Sequence, residues 1–284
     1  MLLFLRYLKK AFVNPERTGY QYSLIRTFLL KPVIFDITSL IIQLVSMSRQ
    51  DKALKNNSEE DGHFNRVFDY NAMVTDKHKI STTRRPEEYF RVLGPCAKNR
   101  ENQKILLIGP RNVFELYLCW LYGFKWDNIF SIDLYSNHPK IQVMNMEEMT
   151  FPDETFDYVL LSRVYAYAKD PKGFIAGISR ILKTGGKVVF EANYIDFKNS
   201  KEWSTDTIRG SETMGYLAES GLNISYYRYY EKIDNSGNEQ ASHSIGATKI
   251  DKSKKNKDLV FFIPELNSKS DHDEQHIVTS ENSI

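Results

Sequence analysis

Cysteine is scarce in this chain of 284 residues: there are two, Cys96 and Cys119. Two cannot build a disulfide framework, and neither has a second Cys or a His at metal-ligand spacing, which argues against a stapled secreted scaffold and against a structural zinc site. A reducing, cytoplasmic compartment is the simplest expectation. An excess of one charge is missing as well. Lys and Arg total 38 against 36 acidic residues, a formal net charge of +2, so the chain carries no strong nucleic-acid signal. Long apolar runs are also lacking. The opening Met1-Leu2-Leu3-Phe4-Leu5 is interrupted by Arg6, Lys9 and Lys10 before a signal sequence can develop. The apolar stretch 27–47 is broken by Lys31, Pro32 and Asp36, short of the roughly 20 residues a membrane span needs. No internal repeat is visible.

What is present suffices for a packed core: hydrophobic residues make up 42% and aromatics 13%, which excludes wholesale disorder and suits one sizeable α/β domain with appendages. The first segment is basic. Up to Ser48, Arg6, Lys9, Lys10, Arg17, Arg26 and Lys31 are opposed only by Glu16 and Asp36. Ile37, Leu40, Ile41, Leu44 and Val45 recur at helical i, i+3, i+4, i+7 spacing, with Asp36 and Gln43 off the stripe, which predicts an amphipathic helix. Two readings stay open: the helix packs on the main domain, or it lies with its basic flank on an anionic membrane surface. Residues 51–62 are polar and without period, a linker. The arm and linker thus occupy 1–62. In the stretch that follows, Thr83 or a neighbour caps a helix that Pro86 starts and Glu87 and Glu88 favour.

From there strand and helix patterns alternate. Residues 104–108 form a short, nearly all-apolar run, as in a buried parallel strand. Residues 112–122 read as a helix with Asn112 and Glu115 at capping-box spacing and Gly123 at its end. Strands are expected at 129–134, 141–144 and 158–161, a helix at 171–182, a turn at Thr184-Gly185-Gly186 and a strand at 187–190. A helix at 211–219 and a strand at 222–230 follow. Residues 231–257 are polar and read as a long hairpin loop, 259–263 as the last strand, and 267–284 as a disordered tail. Alternating strands and helices imply a parallel sheet with right-handed crossovers.

In such a sheet ligands bind beyond the carboxyl ends of the strands, where the winding reverses. Three of those ends carry informative residues. Gly109 follows the first strand, permits a tight turn and leads to a helix N-terminus that can face an anion. Asp133 closes the second strand at the spacing where an acid accepts hydrogen bonds from ribose hydroxyls, or else caps a helix. Asn145 and Met146 follow the third strand, where an amide can meet an exocyclic amine and a thioether can cover an adenine ring; ordinary loop residues would look the same.

The stretch from Met144 to Ser162, with its Phe151-Pro152-Asp153-x-x-Phe156-Asp157 element, continued by Asp170-Pro171 and by Leu182-Lys183-x-Gly185-Gly186, resembles the class I methyltransferase family, in its subgroup with a methyltransferase-11-type domain. The resemblance covers about 104–192. It implies a Rossmann-like, seven-stranded, mostly parallel sheet with a reversed last strand, in a domain spanning 63–266 that follows the N-terminal helical extension. It implies S-adenosyl-L-methionine as cofactor, with Gly109 near the methionine portion, Asp133 on the ribose, Asn145 and Met146 around the adenine, and Ser162 and Arg163 facing the transferred methyl group. The chain departs from the family in its glycine-rich loop, where Leu107, Arg111 and Val113 stand in place of an acid and two glycines; Arg111 is a candidate partner for the cofactor carboxylate. No general base stands out, although Tyr165, Tyr167 and His138 lie on loops near the expected cleft. The expectation is methyl transfer to a small-molecule, glycan or lipid-linked acceptor, with the membrane reached through the N-terminal arm. The alternative is a non-catalytic methyltransferase-like binding or assembly module.

Overall fold

The computed structural model describes residues 24–46, 52–53, 69, 73, 89–90, 93, 100–110, 112–136, 138–195, 210–233 and 239–251. Helices α1 (Leu24–Leu29) and α2 (Pro32–Ser46) come first, then β1 (Lys52–Ala53), β2 (Ile105–Ile108), α3 (Val113–Leu121), β3 (Ile129–Asp133), β4 (Tyr135–Ser136) and β5 (Gln142–Val143). After these come β6 (Phe156–Leu161), α4 (Pro171–Ile181), β7 (Leu182–Ile195), α5 (Gly210–Glu219), β8 (Leu222–Ile233) and β9 (Glu239–Lys249). Seven strands form one sheet in the order β5-β3-β2-β6-β7-β9-β8, while β1 and β4 pair separately. From β5 to β7 neighbours run parallel; β9 runs antiparallel to both β7 and β8. This is a Rossmann-like, mostly parallel sheet with a reversed last strand.

Both faces of its centre are buried, and period-two alternation divides the side chains between them. Ile105, Leu107, Tyr158, Leu160 and Val189 point into a core shared with α3, whereas Leu106, Ile108, Val159, Leu161, Val188 and Phe190 join Phe174, Ile175 and Ile178 of α4. The nearly continuous apolar runs at 105–108 and 156–161 are thus what a two-sided strand requires. Local signals hold the helices. Asn112 caps α3, its side-chain oxygen accepting from Phe114 N at 3.1 Å; Asp170 caps α4, accepting from Gly173 N at 2.9 Å, with Pro171 in the first turn.

The N-terminal helix expected from the apolar stripe is α2, and it packs on the domain by a different face. Phe35 and Ser39 are fully buried, Phe35 stacks on Tyr117 at 5.9 Å, and Tyr117 Oη donates to Thr38 Oγ1 at 3.2 Å. The Arg26 guanidinium lies 5.2 Å from the Trp120 ring centroid. The predicted stripe faces outward, with Ile37 at 55%, Leu44 at 61% and Val45 at 82% exposure. Of the helix expected to begin at Pro86, Tyr89, Phe90 and Leu93 are described; they are helical and buried.

The carboxyl-terminal part of the sheet corrects the sequence reading. Residues 231–257 do not form one long loop: 231–233 extend β8, and 239–249 are β9, inserted between β7 and β8. Strand β9 is rich in Ser, Ala and Gly, and backbone pairing on both sides substitutes for the apolar run that the pattern demanded. Residues 259–263, expected as the last strand, and the tail 267–284 lie outside the described residues. Thr184-Gly185-Gly186 falls inside β7 as an irregularity in its pairing with β6, with Gly185 at φ +82°. All these elements lie in a compact unit ending at Ile250.

Candidate functional site

The chain winds from β2 outward to β3 and β5, then returns to the other side for β6 and β7, so the winding reverses between β2 and β6. The loops leaving those two strands border the switch-point crevice. Gly109 leaves β2 at φ +72°, where a side chain is disfavoured, and its N–H donates to Ile132 O at 2.9 Å. A β-carbon there would collide with Val164 Cγ1. The glycine is therefore required twice, by its backbone and by the valine seated on it. Arg111, two positions on, lies outside the described residues.

The loop leaving β6 is fastened on both sides. Ser162 is 3% exposed, and its hydroxyl donates to the Glu115 carboxylate, which is fully buried in α3. Next to it Arg163 takes the left-handed conformation at φ +60°, uncommon for a residue with a β-carbon. Its Nε donates to Glu191 Oε2 at 3.1 Å; the arginine is half exposed, the glutamate buried one residue past the part of β7 that pairs with β6. Glu115, Val164 and Glu191 were not among the residues expected at this edge. A signal for Glu115 existed: α3 reads VFELYLCWL, apolar on every side, so its single acid had to be buried against a partner.

On the other side of the crevice the groups are looser. Asp133 ends β3 half-buried, with Oδ1 accepting from Leu134 N at 2.7 Å. Asn145 caps the 3-10 turn Met146–Glu148, accepting from Glu147 N at 3.1 Å. Met146 is half-buried against the core beneath α4. Glu147 Oε1 accepts from Asp170 N at 2.7 Å, tying this turn to the start of α4. Asp133, Asn145 and Met146 thus stand on the β3 and β5 side, while Gly109 and Ser162 stand on the β2 and β6 side.

Two of the three base candidates, Tyr165 and His138, are not set for proton abstraction. Tyr165 is fully buried, its hydroxyl paired with Thr213 Oγ1 at 3.1 Å; burial pushes its pKa up to about 12 despite that hydrogen bond. His138 Nδ1 accepts from Lys140 N at 3.0 Å, and burial, then the Lys140 charge, lowers its pKa to about 4. Tyr167 sits in the turn after β6, its N–H donating to Val164 O at 2.9 Å. Burial, with the Glu115 charge second, holds the Cys119 thiol well above the usual range. Among the described residues no group of three or more His, Cys, Asp or Glu could hold a metal ion.

Residues 129–190 match the family model described as a methyltransferase domain. The match runs from β3 into β7 and includes Asp133, Asn145, Met146 and Ser162, so this segment of the sheet resembles a methyltransferase domain. An uncharacterized protein of Methanocaldococcus jannaschii is 38% identical over 50 residues, 18% of this chain and 24% of the relative, so the chain matches about a quarter of that protein's length. Among solved structures, a putative methyltransferase in complex with the Trm112 methyltransferase activator of Haloferax volcanii is similar with a TM-score of 0.49 and 17% identity, over 65% of this chain and 96% of that one. A SAM-dependent methyltransferase of Methanosarcina mazei gives 0.43 and 16%, over 56% and 97%. A putative sarcosine dimethylglycine methyltransferase of Galdieria sulphuraria gives 0.47 and 12%, over 59% and 86%.

Proposed function

We propose that this chain transfers a methyl group from S-adenosyl-L-methionine to a small-molecule, glycan or lipid-linked acceptor. The observation that carries the reading is the position of Asp133, half-buried at the carboxyl end of β3 beside the turn bearing Asn145 and Met146, within the segment that matches the methyltransferase domain. Bound there, the cofactor supplies a methyl group on a sulfonium, open to in-line attack. Asp133 would accept from the ribose hydroxyls, and Asn145 and Met146 would border the adenine. Those residues suit that end of the cofactor in chemistry and in partial exposure.

At the methionine end Val164 covers Gly109, so backbone approach there requires the valine to turn aside. Ser162 and Arg163 stand next to it, Ser162 held by Glu115 and Arg163 by Glu191. With the Tyr165 hydroxyl engaged and its pKa raised, and the His138 Nδ1 engaged and its pKa lowered, the chain offers positioning rather than proton abstraction. An acceptor that arrives already nucleophilic suits this arrangement, in the reducing cytoplasm that the scarcity of cysteine favours.

The covering of Gly109 also favours a second reading, a methyltransferase-like module that binds or assembles without catalysis. Calorimetric titration with S-adenosyl-L-methionine and S-adenosylhomocysteine, on the native chain and on Asp133→Ala, separates the two. Micromolar binding lost in the variant supports the enzyme; no heat at millimolar ligand removes it in favour of the module.

A further inference from the structure

Helix α2 has two apolar faces and the domain covers one. Phe35, Ser39 and Ile42 face α3 and the core beneath it. Val33, Ile37, Leu40, Ile41, Leu44 and Val45 occupy roughly 140° of the remaining surface, with exposures from 37% at Leu40 to 82% at Val45. Phe28 on α1 adds another large apolar side chain at 60%. Among the described residues every exposed large hydrophobic except Met73 belongs to these two helices. Singly exposed apolar residues are common on protein surfaces; a stripe of six along one helix about 22 Å long marks an interaction surface.

We propose that this stripe docks on an anionic membrane surface, with α2 lying in the plane of the interface. Charge selects this occupant over a protein partner. Before α2 begins the sequence carries Arg6, Lys9, Lys10, Arg17 and Lys31 against Glu16 alone, besides Arg26, which is engaged over Trp120, and within α2 Asp36 is the one charged residue, off the exposed stripe. A basic segment leading directly into an apolar stripe provides the two contributions, electrostatic attraction and burial of side chains at the headgroup boundary, that reversible interfacial binding uses. The opposite face stays seated through the Phe35–Tyr117 stack and the Tyr117–Thr38 hydrogen bond, so the helix can dock without leaving the domain. No helix among the described residues is long and apolar enough to cross a membrane, and the proposal requires none. It does not depend on the methyltransferase reading.

The test is flotation of the full chain with phosphatidylcholine vesicles, with and without phosphatidylserine, comparing the native protein with Ile41→Glu/Leu44→Glu. Both substituted side chains are more than half exposed, and a thermal melt checks that the fold is kept; if it is not, Ile41→Ser/Val45→Ser takes their place. The expected result is flotation with the anionic vesicles only, weakened by salt, and a partition coefficient lowered on the order of tenfold in the variant. Native protein that stays in the dense fraction with anionic vesicles overturns the proposal. So does equal flotation of the variant, which would assign binding to the basic segment alone. So does a dimer that sediments without vesicles and dissociates on substitution, since a second copy would then cover the stripe.

Discussion

The two sides of the switch-point crevice are built from the same sheet edge and differ in how firmly their loops are held. On the β2 and β6 side, Val164 sits on Gly109, Ser162 is bonded to a fully buried glutamate, and Arg163 in a left-handed conformation pairs with the buried Glu191. On the β3 and β5 side, Asp133, Asn145 and Met146 are half-buried, and the hydrogen bonds drawn from their side chains run mostly within their own turns. Catalysis by positioning needs rigid walls, whereas ligand entry needs groups that can exchange neighbours for ligand. The held side is suited to the first and the looser side to the second.

The largest expected effect tests the looser side. Asp133→Ala removes a carboxylate whose charge-assisted hydrogen bonds to two hydroxyls contribute about 1.5–3 kcal/mol each, so affinity for S-adenosylhomocysteine should fall about a hundredfold or more by calorimetry. An unchanged affinity would transfer the cofactor role away from β3. On the held side the readout is stability. Ser162→Ala takes a hydrogen-bond donor from the buried Glu115 and should cost about 1–3 kcal/mol in urea unfolding; a loss under a few tenths would mean that this contact does not fasten the loop. Val164→Ala sharpens the comparison because its two consequences have opposite signs. It should destabilise by about 1–2 kcal/mol through lost packing, yet tighten cofactor binding severalfold if the valine is what closes Gly109. Weaker binding would make Val164 part of the cofactor wall.

The same division explains what could be read from sequence. The short motif elements around Asp153–Asp157 and Leu182–Gly186 that helped carry the resemblance stand at the amino ends of β6 and β7, away from the crevice. Asp153 pairs with Arg180 at 2.8 Å, Asp157 with Lys183 at 2.9 Å and with Lys104 N at 2.8 Å, and Glu154 takes a tight turn at φ +51°. They are scaffold chemistry, fixed by local geometry and so visible in a linear pattern. The site is assembled from four separate strand ends, and its decisive contacts, Glu115 with Ser162 and Val164 with Gly109, join residues far apart in the chain. Strand β9 is hidden for a related reason: Ile245 and Ala247 are buried at period two, but too few apolar residues surround them to distinguish a strand from a polar loop, and the run at 259–263 has the stronger apolar pattern. The stripe on α2 was legible as a helix but not as an outward face, because periodicity gives the phase of a stripe and not which side of it meets the domain.

A pH-dependent effect concerns the loop between β4 and β5 on the looser side. His138 lies between β4 and β5, its ring accepting from Lys140 N and its main chain bracketed by Ser136: Ser136 Oγ donates to His138 O at 2.8 Å and accepts from His138 N at 3.2 Å. Burial holds its pKa at about 4 against an ordinary 6.5, so the folded chain keeps the ring neutral where the unfolded chain protonates it. The unfolded state therefore binds more protons across that window, and stability rises with pH through it. The contribution is fully present above pH 6.5 and disappears as pH falls toward 4. Up to about 3 kcal/mol should be lost from the urea unfolding free energy over this range and should be absent in His138→Gln. If the loss is accompanied by weaker cofactor binding at the lower pH, the β4–β5 loop and the Asp133 wall move together; if stability alone changes, the looseness of this side is confined to the residues of the crevice.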